Sequence, residues 1–100
     1  MVNDCNFVYV LRLVRSEALR GMTAQEEAIV DEHFEYLKHG LAEGRLGFAG
    51  RCLDGEFGIV LFRARCEAEA KQFMENDPAV KKGVMRAELH SFRVALVEKK

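Results

Sequence analysis

Residues 46–62 read Leu-Gly-Phe-Ala-Gly-Arg-Cys-Leu-Asp-Gly-Glu-Phe-Gly-Ile-Val-Leu-Phe, and this stretch decides the fold. Leu46–Leu53 predicts a strand, although it contains two glycines, and Phe57–Phe62 predicts a second, largely apolar strand. Asp54-Gly55 between them is a residue pair that favours a hairpin turn. The middle of the chain is therefore predicted to be two consecutive antiparallel strands.

A strand and a helix are predicted before this hairpin. Phe7–Val14 is rich in β-branched and aromatic residues, which favours a strand. Thr23 and Glu26 have the spacing of a capping box, in which two side chains satisfy free backbone N–H groups, so a helix is expected to begin there. Gly44 is the expected end of that helix. Its apolar residues repeat at helical spacing and are Ile29, Val30, Phe34, Leu37 and Leu41.

A helix and a strand are predicted after the hairpin. Cys66–Glu75 predicts a shorter helix, which ends before Pro78 because the residue preceding a proline is moved away from helical geometry. Pro78–Gly83 predicts one further helical turn, and Val84–Val97 predicts a long last strand. The resulting order, βαββαβ, is that of an α+β domain of the ferredoxin-like type, a four-stranded antiparallel sheet covered on one face by two helices.

The alternation of residues in the first predicted strand indicates the character of the sheet face that no helix covers. Alternation separates Phe7, Tyr9, Leu11 and Leu13 on one face from Val8, Val10, Arg12 and Val14 on the other. Both faces are mostly apolar, and only one of them is covered by the helices. Because a large exposed apolar surface is uncommon on a soluble monomer, we expect a C2 homodimer in which two sheets pair face to face.

Composition excludes several classes of protein. The chain has 100 residues, the size of one domain, so we expect a single domain spanning residues 1–100. Its net charge is −1 with acids and bases interspersed, which argues against a nucleic-acid partner. The apolar run Phe7–Leu11 is too short for a signal peptide or a membrane span, so we expect a cytoplasmic protein without a membrane partner.

The cysteines and glycines carry no signature of a metal or a cofactor. Cys5, Cys52 and Cys66 are odd in number and widely separated, so neither a disulfide framework nor a zinc site is predicted. The glycines of residues 40–50 do not form a dinucleotide-binding fingerprint, and they follow a helix instead of opening one. We therefore expect reduced thiols, no metal and no cofactor.

Three motifs occur in an informative order along the chain. They are Glu32-His33-Phe34-Glu35-Tyr36-Leu37, then Glu43-Gly44-Arg45-Leu46-Gly47-Phe48-Ala49-Gly50, and finally Asn76-Asp77-Pro78-Ala79-Val80-Lys81-Lys82-Gly83. Together they resemble the YCII-related family, whose members carry a histidine in the first helix, an E-G-x4-A-G stretch and a late D-P-x-V-x-x-G. The resemblance covers nearly the whole chain and continues through residues 87–94.

The resemblance implies both an assembly and a site. The assembly is a dimeric α/β-barrel, two ferredoxin-like domains packed through their sheets, in a superfamily that includes muconolactone isomerases and small monooxygenases. The site is a pair formed by the helix-1 histidine and the aspartate of Asp-Pro, which correspond to His33 and Asp77. Many relatives have proline directly after Ala-Gly, where this chain has Arg51, so Arg51 is a candidate for contacting a ligand of its own subgroup.

The residues themselves leave two interpretations of this pair open. His33 lies three residues after Val30 and one turn before Leu37, so it is expected to point toward the sheet edge. With Asp77 on one ring nitrogen, the other nitrogen becomes a general base or acid. A lone inward histidine is, however, more often a hydrogen-bonded core residue. Asp77 followed by Pro78 is also a good N-cap and N1 pair, and that role is compatible with orienting His33.

Four further side chains are candidates for binding a substrate. Arg51 and Arg12 lie on or beside strands that are otherwise apolar, where an arginine can hold an anion or form a salt bridge at the dimer interface. His90 lies on one strand face with Phe92, in the dimer core or lining the cleft. Tyr36 can donate to a ligand, although most tyrosines near an apolar stripe are packing residues.

Two classes of function remain after these exclusions. The first, implied by the resemblance, is a cofactor-free lyase or isomerase in which His33, oriented by Asp77, moves a proton on a small anionic or hydroxylated cyclic substrate. The second is a homodimer that binds a small molecule without turnover or has a purely structural role.

Overall fold

The computed structural model describes residues 5–98, in which the four strands and the helices follow the order βαββαβ. The elements are β1 (Cys5–Leu13), α1 (Ala24–Ala42), β2 (Leu46–Arg51), β3 (Gly58–Ala64), α2 (Glu67–Glu75), α3 (Pro78–Lys81) and β4 (Met85–Phe92). A 3₁₀ helix, Ser16–Leu19, lies in the connection between β1 and α1. Within residues 5–98, no helix is both long enough and apolar enough to cross a membrane.

The strands form one antiparallel sheet in the order β2-β3-β1-β4. Tyr9 in the central strand β1 lies opposite Val60 of β3 and Leu89 of β4, which sets the register of the sheet. This is the predicted ferredoxin-like fold, in which strands that follow one another through a helix are separated by a third strand.

The core lies between this sheet and the helices. It contains one buried cluster drawn from both layers, with Phe7, Tyr9, Leu11, Leu37, Leu46, Val60, Phe62, Ala64, Ala70, Phe73 and Met74. Phe62 is at its aromatic centre, with ring centroids 5.6 Å from Tyr9 and 4.7 Å from Phe73. The inward face of β1 is thus the one that alternation predicts.

The start of α1 is fixed by the predicted capping box. The Thr23 hydroxyl accepts from the Glu26 N–H at 3.1 Å, and the Glu26 carboxylate accepts from the Thr23 N–H at 2.9 Å. Arg15 contacts the same carboxylate at 2.7 Å and holds the pKa of Glu26 down, to about 2. At the other end Gly44 has φ +80°, the left-handed conformation that ends many helices.

The apolar face of α1 differs from the predicted stripe. Ile29 and Leu37 are buried as expected, but Phe34 is 60 % exposed and Leu41 57 % exposed. The buried side passes instead through Gly40, where a Cβ atom would meet Phe73 at 3.4 Å and Leu46 at 3.7 Å. The packed face of α1 therefore runs through Ile29, the half-buried His33, Leu37 and Gly40.

The last strand is shorter than predicted. Val84–Val97 was expected to be extended in the sheet, whereas β4 covers only Met85–Phe92. Its last pairing is Phe92 with Asn6, near the first residue of β1, and β4 has only β1 as a neighbour. After Phe92, no described residue of β1 pairs with the chain. Residues 93–97 therefore do not join the sheet, although their sequence is typical of a strand.

The face of the sheet that carries no helix is apolar in its middle. We call it the open face: it contains Val8, Val10, Ile59, Leu61, Phe48 and Phe92, with Asn6, Arg12, Arg63, Arg86, Glu88 and His90 around them. Phe48 and Phe92 are about half exposed. This face matches the surface through which a homodimer was predicted, but the structure contains one chain.

Candidate active site

His33 and Asp77 meet on the helix-covered side of the sheet, 44 residues apart in sequence. Nδ1 of His33 lies 2.7 Å from Oδ1 and 2.9 Å from Oδ2 of Asp77. His33 projects from the middle of α1, and Asp77 stands at the first residue before α3, so contact between these two helices brings the pair together.

The position of Asp77 follows from the Asp-Pro dipeptide. Asp77 has extended backbone angles, φ −61° and ψ 124°, and Pro78 occupies the first helical position of α3. Oδ1 of Asp77 accepts from the N–H of Ala79 at 2.9 Å. The predicted N-cap role is therefore confirmed, and it coexists with the contact to His33 because a carboxylate has two oxygens.

A tyrosine that was not among the predicted site residues completes the arrangement. The hydroxyl of Tyr9 donates to Oδ2 of Asp77 at 2.7 Å, and both residues are 0 % exposed. Burial, and then the neighbouring carboxylate, raise the pKa of Tyr9 well above its ordinary value. Tyr9 is therefore a permanent donor in this site, and its phenol is not available as a base.

Hydrogen bonding determines which nitrogen of His33 is free. A carboxylate only accepts, so Nδ1 carries the proton that points at Asp77, and Nε2 of the neutral ring is left with its lone pair. The His33 side chain is 11 % exposed, whereas that of Asp77 is fully buried. A substrate can therefore reach this pair only through His33.

An ion pair ties together the two helices that carry the pair. Lys82, directly after α3, contacts Glu32 of α1, with 2.7 Å between Nζ and Oε1. Both side chains are about half exposed, so this contact contributes little to stability on its own. It adds a link between α1 and α3 next to His33 in sequence.

Tyr36 and Arg51 have different surroundings from those of the pair. The Tyr36 hydroxyl donates to the backbone oxygen of Phe73 at 2.6 Å, and its ring stacks on Phe73 with centroids 5.1 Å apart. Arg51 is exposed at the end of β2, which is separated from the strand of Tyr9 by the whole of β3. Tyr36 is thus packed in the described chain, and Arg51 does not converge on Asp77.

Arg12 and His90 lie on the other face of the sheet. Alternation along β1 and β4 puts both on the open face, opposite to Tyr9. Arg12 donates to the backbone oxygen of Glu56 at 3.3 Å and its guanidinium lies 5.4 Å from the ring centre of Phe57. His90 is exposed and lies 3.4 Å from Glu88. The structure therefore separates these two candidates from His33 and Asp77.

The open face also has a shallow cavity. It has a volume of about 350 Å³ and is lined by Val10, Arg12, Arg86, Ala87 and Glu88. Arg12 and Arg86 occupy directly opposite positions on β1 and β4. Arg86 was not predicted from the sequence, because only the register reveals that it faces Arg12.

Within residues 5–98, no group of three or more His, Cys, Asp and Glu side chains converges to hold a metal ion. Cys5, Cys52 and Cys66 are free thiols.

The sequence around Tyr9 carries a signal for a buried hydrogen bond. Alternation placed it on the inward face of β1 among Phe7 and Leu11, and a buried tyrosine hydroxyl usually has a hydrogen-bond partner. The identity of that partner depends on the packing of α3 against the sheet, which sequence patterns do not specify.

Comparison with solved structures supports the fold. The chain is similar to 5-chloro-2-hydroxyhydroquinone dehydrochlorinase from Burkholderia phenoliruptrix AC1100, solved in complex with 2,5-dihydroxybenzoquinone. The TM-score is 0.59 and the identity 19 %, over 87 % of this chain and 93 % of the dehydrochlorinase. An identity this low shows a shared fold and no more.

Comparisons of sequence give two further results. No curated protein matches the chain. Residues 8–93, however, match the pattern of the YCII-related domain, and this range includes the whole hairpin as well as Tyr9, His33 and Asp77. The match covers most of the chain, and we therefore assign the protein to the YCII-related family.

Proposed function

We propose that this protein is a cofactor-free lyase or isomerase that transfers a proton at Nε2 of His33. The observation that carries the proposal is the short distance from Nδ1 of His33 to both oxygens of the buried Asp77 carboxylate, 2.7 and 2.9 Å. This arrangement turns Nδ1 of His33 to Asp77 and leaves the lone pair on Nε2 as the basic atom available for a substrate proton.

The chemistry of the pair is that of an oriented general base. Nε2 accepts a proton from a C–H or O–H group of the substrate, and the electron pair left behind expels a leaving group or moves a double bond. The imidazolium that forms keeps its Nδ1–H bond to Asp77, whose negative charge stabilises it. Return of the proton from Nε2 to product or solvent completes the cycle.

A hydroxylated ring is the substrate class that we propose. The structurally similar dehydrochlorinase acts on a chlorinated hydroxyhydroquinone, a ring whose hydroxyl protons are acidic. Removal of a hydroxyl proton makes the ring electron-rich, so that the carbon bearing chlorine takes up a proton and the ring becomes its keto form. Removal of a second hydroxyl proton then expels chloride and gives a hydroxyquinone, with a net loss of one proton and one chloride. Catalysis of this kind needs a base and an enclosed site, and it needs no redox cofactor.

The test compares two histidines of the same helix. His33→Gln removes the proposed base, whereas His39→Gln changes a side chain that is 76 % exposed and contacts only Glu43 on its own helix. Both variants are assayed on a chlorinated hydroxyhydroquinone by chloride release and by the absorbance of the quinone product, with the unchlorinated ring, which has no leaving group, as the blank. We expect turnover in the wild type and in His39→Gln, and a loss of about 100-fold or more in His33→Gln.

Two outcomes would contradict this proposal. Turnover that survives in His33→Gln at the wild-type rate would exclude His33 as the base. Binding of 2,5-dihydroxybenzoquinone, seen as a rise in melting temperature, with no conversion of any ring tested would favour a protein that binds without turnover.

A second candidate function, binding of a small anion on the open face, is favoured by the opposed arginines. Like charges directly opposite on neighbouring strands destabilise a sheet, and an anion between Arg12 and Arg86 would offset this repulsion. Arg12 is already held against Phe57, which reduces the entropy it loses on binding. The rise in melting temperature with 2,5-dihydroxybenzoquinone would then persist in His33→Gln and disappear in Arg86→Gln, with the exposed Arg20→Gln as control.

The proposal also includes a homodimer formed through the open face. A partner sheet would cover Phe48 and Phe92 and close the cavity between Arg12 and Arg86. Face-to-face pairing of two sheets would remove this apolar area from water, which favours association.

A further inference from the structure

Three donors from three parts of the chain converge on Asp77. Oδ1 accepts from the Ala79 N–H at 2.9 Å, Oδ2 accepts from the Tyr9 hydroxyl at 2.7 Å, and Nδ1 of His33 lies close to both oxygens. No buried side-chain nitrogen or oxygen in the described residues lacks a hydrogen-bond partner, so this carboxylate is fully satisfied.

The three donors connect the Asp77 carboxylate to different parts of the molecule. The Ala79 N–H belongs to the same turn as Asp77, two residues along the chain, and moves with it. His33 is the group that has to be oriented. Tyr9 is therefore the donor that anchors the carboxylate to the central strand of the sheet, across 68 residues of sequence.

The phenol of Tyr9 is itself immobile. Its ring is fully buried and packs edge-on against Phe62 and Phe73, with centroid distances of 5.6 and 6.3 Å. A hydroxyl on such a ring is a fixed point, unlike a water molecule or a long flexible side chain. Burial and the adjacent carboxylate raise the pKa of Tyr9, so its proton stays in place throughout the ordinary pH range.

We propose that Tyr9 is a positioning residue of the candidate active site, whose hydroxyl fixes the plane of the Asp77 carboxylate and thereby the orientation and tautomer of His33. Tyr9 does not touch the substrate, because it is fully buried behind Asp77. Its effect reaches His33 only through the two carboxylate oxygens. The consequence for catalysis rests on the proposed function, whereas the effect on the histidine ring does not.

The test uses the ring nitrogens of His33 and needs no substrate. Tyr9→Phe removes the hydroxyl and keeps the packed ring. The matched control is Tyr36→Phe, which removes another short hydroxyl bond, 2.6 Å to the Phe73 oxygen, three residues from His33 in the same helix. ¹⁵N NMR of the three histidines, assigned with His33→Gln, reports the tautomer of His33 and the exchange of its Nδ1–H with water.

We expect the wild type to show a single His33 tautomer with the proton on Nδ1. In Tyr9→Phe the Nε2–H tautomer should become populated, and exchange of the Nδ1–H with water should be faster by about tenfold. Tyr36→Phe should change this exchange rate by less than about twofold, because its hydroxyl is not bound to Asp77.

Several results would overturn the proposal. An unchanged His33 spectrum in Tyr9→Phe would mean that the hydroxyl does not position the pair. An equal change in Tyr36→Phe would mean that either substitution simply loosens the aromatic core. If Tyr9→Phe does not fold, the wild type decides: a protected Tyr9 hydroxyl proton with a cross-peak to the His33 Nδ1–H supports the proposal, and its absence rejects it.

The same variants separate this proposal from the proposed function. If the tautomer of His33 responds to Tyr9→Phe but no ring substrate is ever converted, the proposed reaction fails and the positioning role stands. If turnover depends on His33 while Tyr9→Phe has wild-type activity and a wild-type spectrum, the proposed reaction stands and the positioning role of Tyr9 is rejected.

Discussion

Asp77 combines two roles in one carboxylate, the cap of a short helix and the acceptor for a histidine and a tyrosine. Taking a carboxylate fully out of water is costly unless its oxygens are bonded, and here each oxygen has a neutral donor in addition to His33. The hydrogen bonds to Asp77 therefore offset the free-energy cost of its burial, and removing the carboxylate leaves the donors without an acceptor.

The first prediction concerns the stability lost with this carboxylate. Asp77→Ala leaves the Tyr9 hydroxyl, the Ala79 N–H and Nδ1 of His33 without their acceptor, so it should lower the free energy of unfolding by about 3 kcal/mol. The control is Asp54→Ala, which removes an exposed aspartate bonded to one backbone N–H, that of Glu56. Urea unfolding followed by circular dichroism measures both, and equal losses would contradict the prediction.

The second prediction concerns alkaline pH and the only two tyrosines of the chain. Burial raises the pKa of Tyr36 to about 12, and it raises the pKa of Tyr9 as well. Since both values are raised in the folded state, the stability they contribute is complete below pH 10 and is lost as pH rises toward the folded-state values. An absorbance titration should show almost no tyrosinate at pH 10 and only about one tenth of Tyr36 ionised at pH 11 while the protein is folded.

Tyrosinate absorbance that rises at about pH 10 without loss of the circular-dichroism signal would contradict this second prediction. It would mean that one phenol is in contact with water. Tyr9→Phe then identifies which of the two tyrosines ionises.

At the residue scale, the sequence was informative where a motif is local. The Asp-Pro pair predicts its own cap, and the motif order points to His33 and Asp77. Tyr9 was missed because its partner lies 68 residues away. Arg12 and His90 were candidates either for binding a substrate or for the dimer interface, and only the register of the sheet shows that both lie on the open face.

At the scale of elements, two glycines with no neighbouring atoms allow a clean comparison. Gly83, after α3, has φ +79°, whereas Gly21 lacks such a positive angle, and neither has an atom within 4 Å of a built Cβ. Gly83→Ala should therefore cost about 1 kcal/mol of stability through backbone strain alone. Gly21→Ala should be neutral or slightly stabilising, because it reduces the entropy of the unfolded chain.

The third prediction is tested by the melting temperatures of both variants in thermal unfolding. Equal melting temperatures for Gly83→Ala and Gly21→Ala would show that the backbone at Gly83 relaxes to accommodate a side chain. A loss confined to Gly83→Ala would show that the connection from α3 to β4 is rigid, and Asp77 lies at the other end of α3.

Element ends were predictable where a side chain or a glycine fixes them. The capping box at Thr23, the positive φ of Gly44 and the Asp54-Gly55 turn are local, and Gly55 has φ +81° as a hairpin glycine should. The length of β4 and the buried side of α1 were not predictable in this way. They depend on the pairing of β4 with β1 and on contact at Gly40, which are properties of the packed molecule.

At the scale of the whole molecule, the sheet has two unlike faces. One face is buried under helices and carries the candidate active site through Tyr9. The open face is apolar in the middle and charged at its margins, with an arginine pair at one end. The order of elements predicted this division, because βαββαβ puts its helices on one side of the sheet.

The fourth prediction is that the open face pairs with that of a second copy. Light scattering should give a mass of twice 11.4 kDa. Phe92→Glu puts a charge on the open face, where the phenylalanine is 47 % exposed, and should weaken the dimer by at least about tenfold. The control, Phe34→Glu, changes an equally exposed phenylalanine on α1, 60 % exposed, and should leave the mass unchanged.

A mass of 11.4 kDa at every concentration would contradict the homodimer and leave the apolar open face to some other partner. A dimer broken by Phe34→Glu but not by Phe92→Glu would instead place the interface on the helices. That result would bring a second chain next to the surface from which His33 is reached, so the substrate site would then be built by two copies. A dimer sensitive only to Phe92→Glu keeps that site within one chain, because Asp77 and His33 lie on the side of the sheet away from the partner.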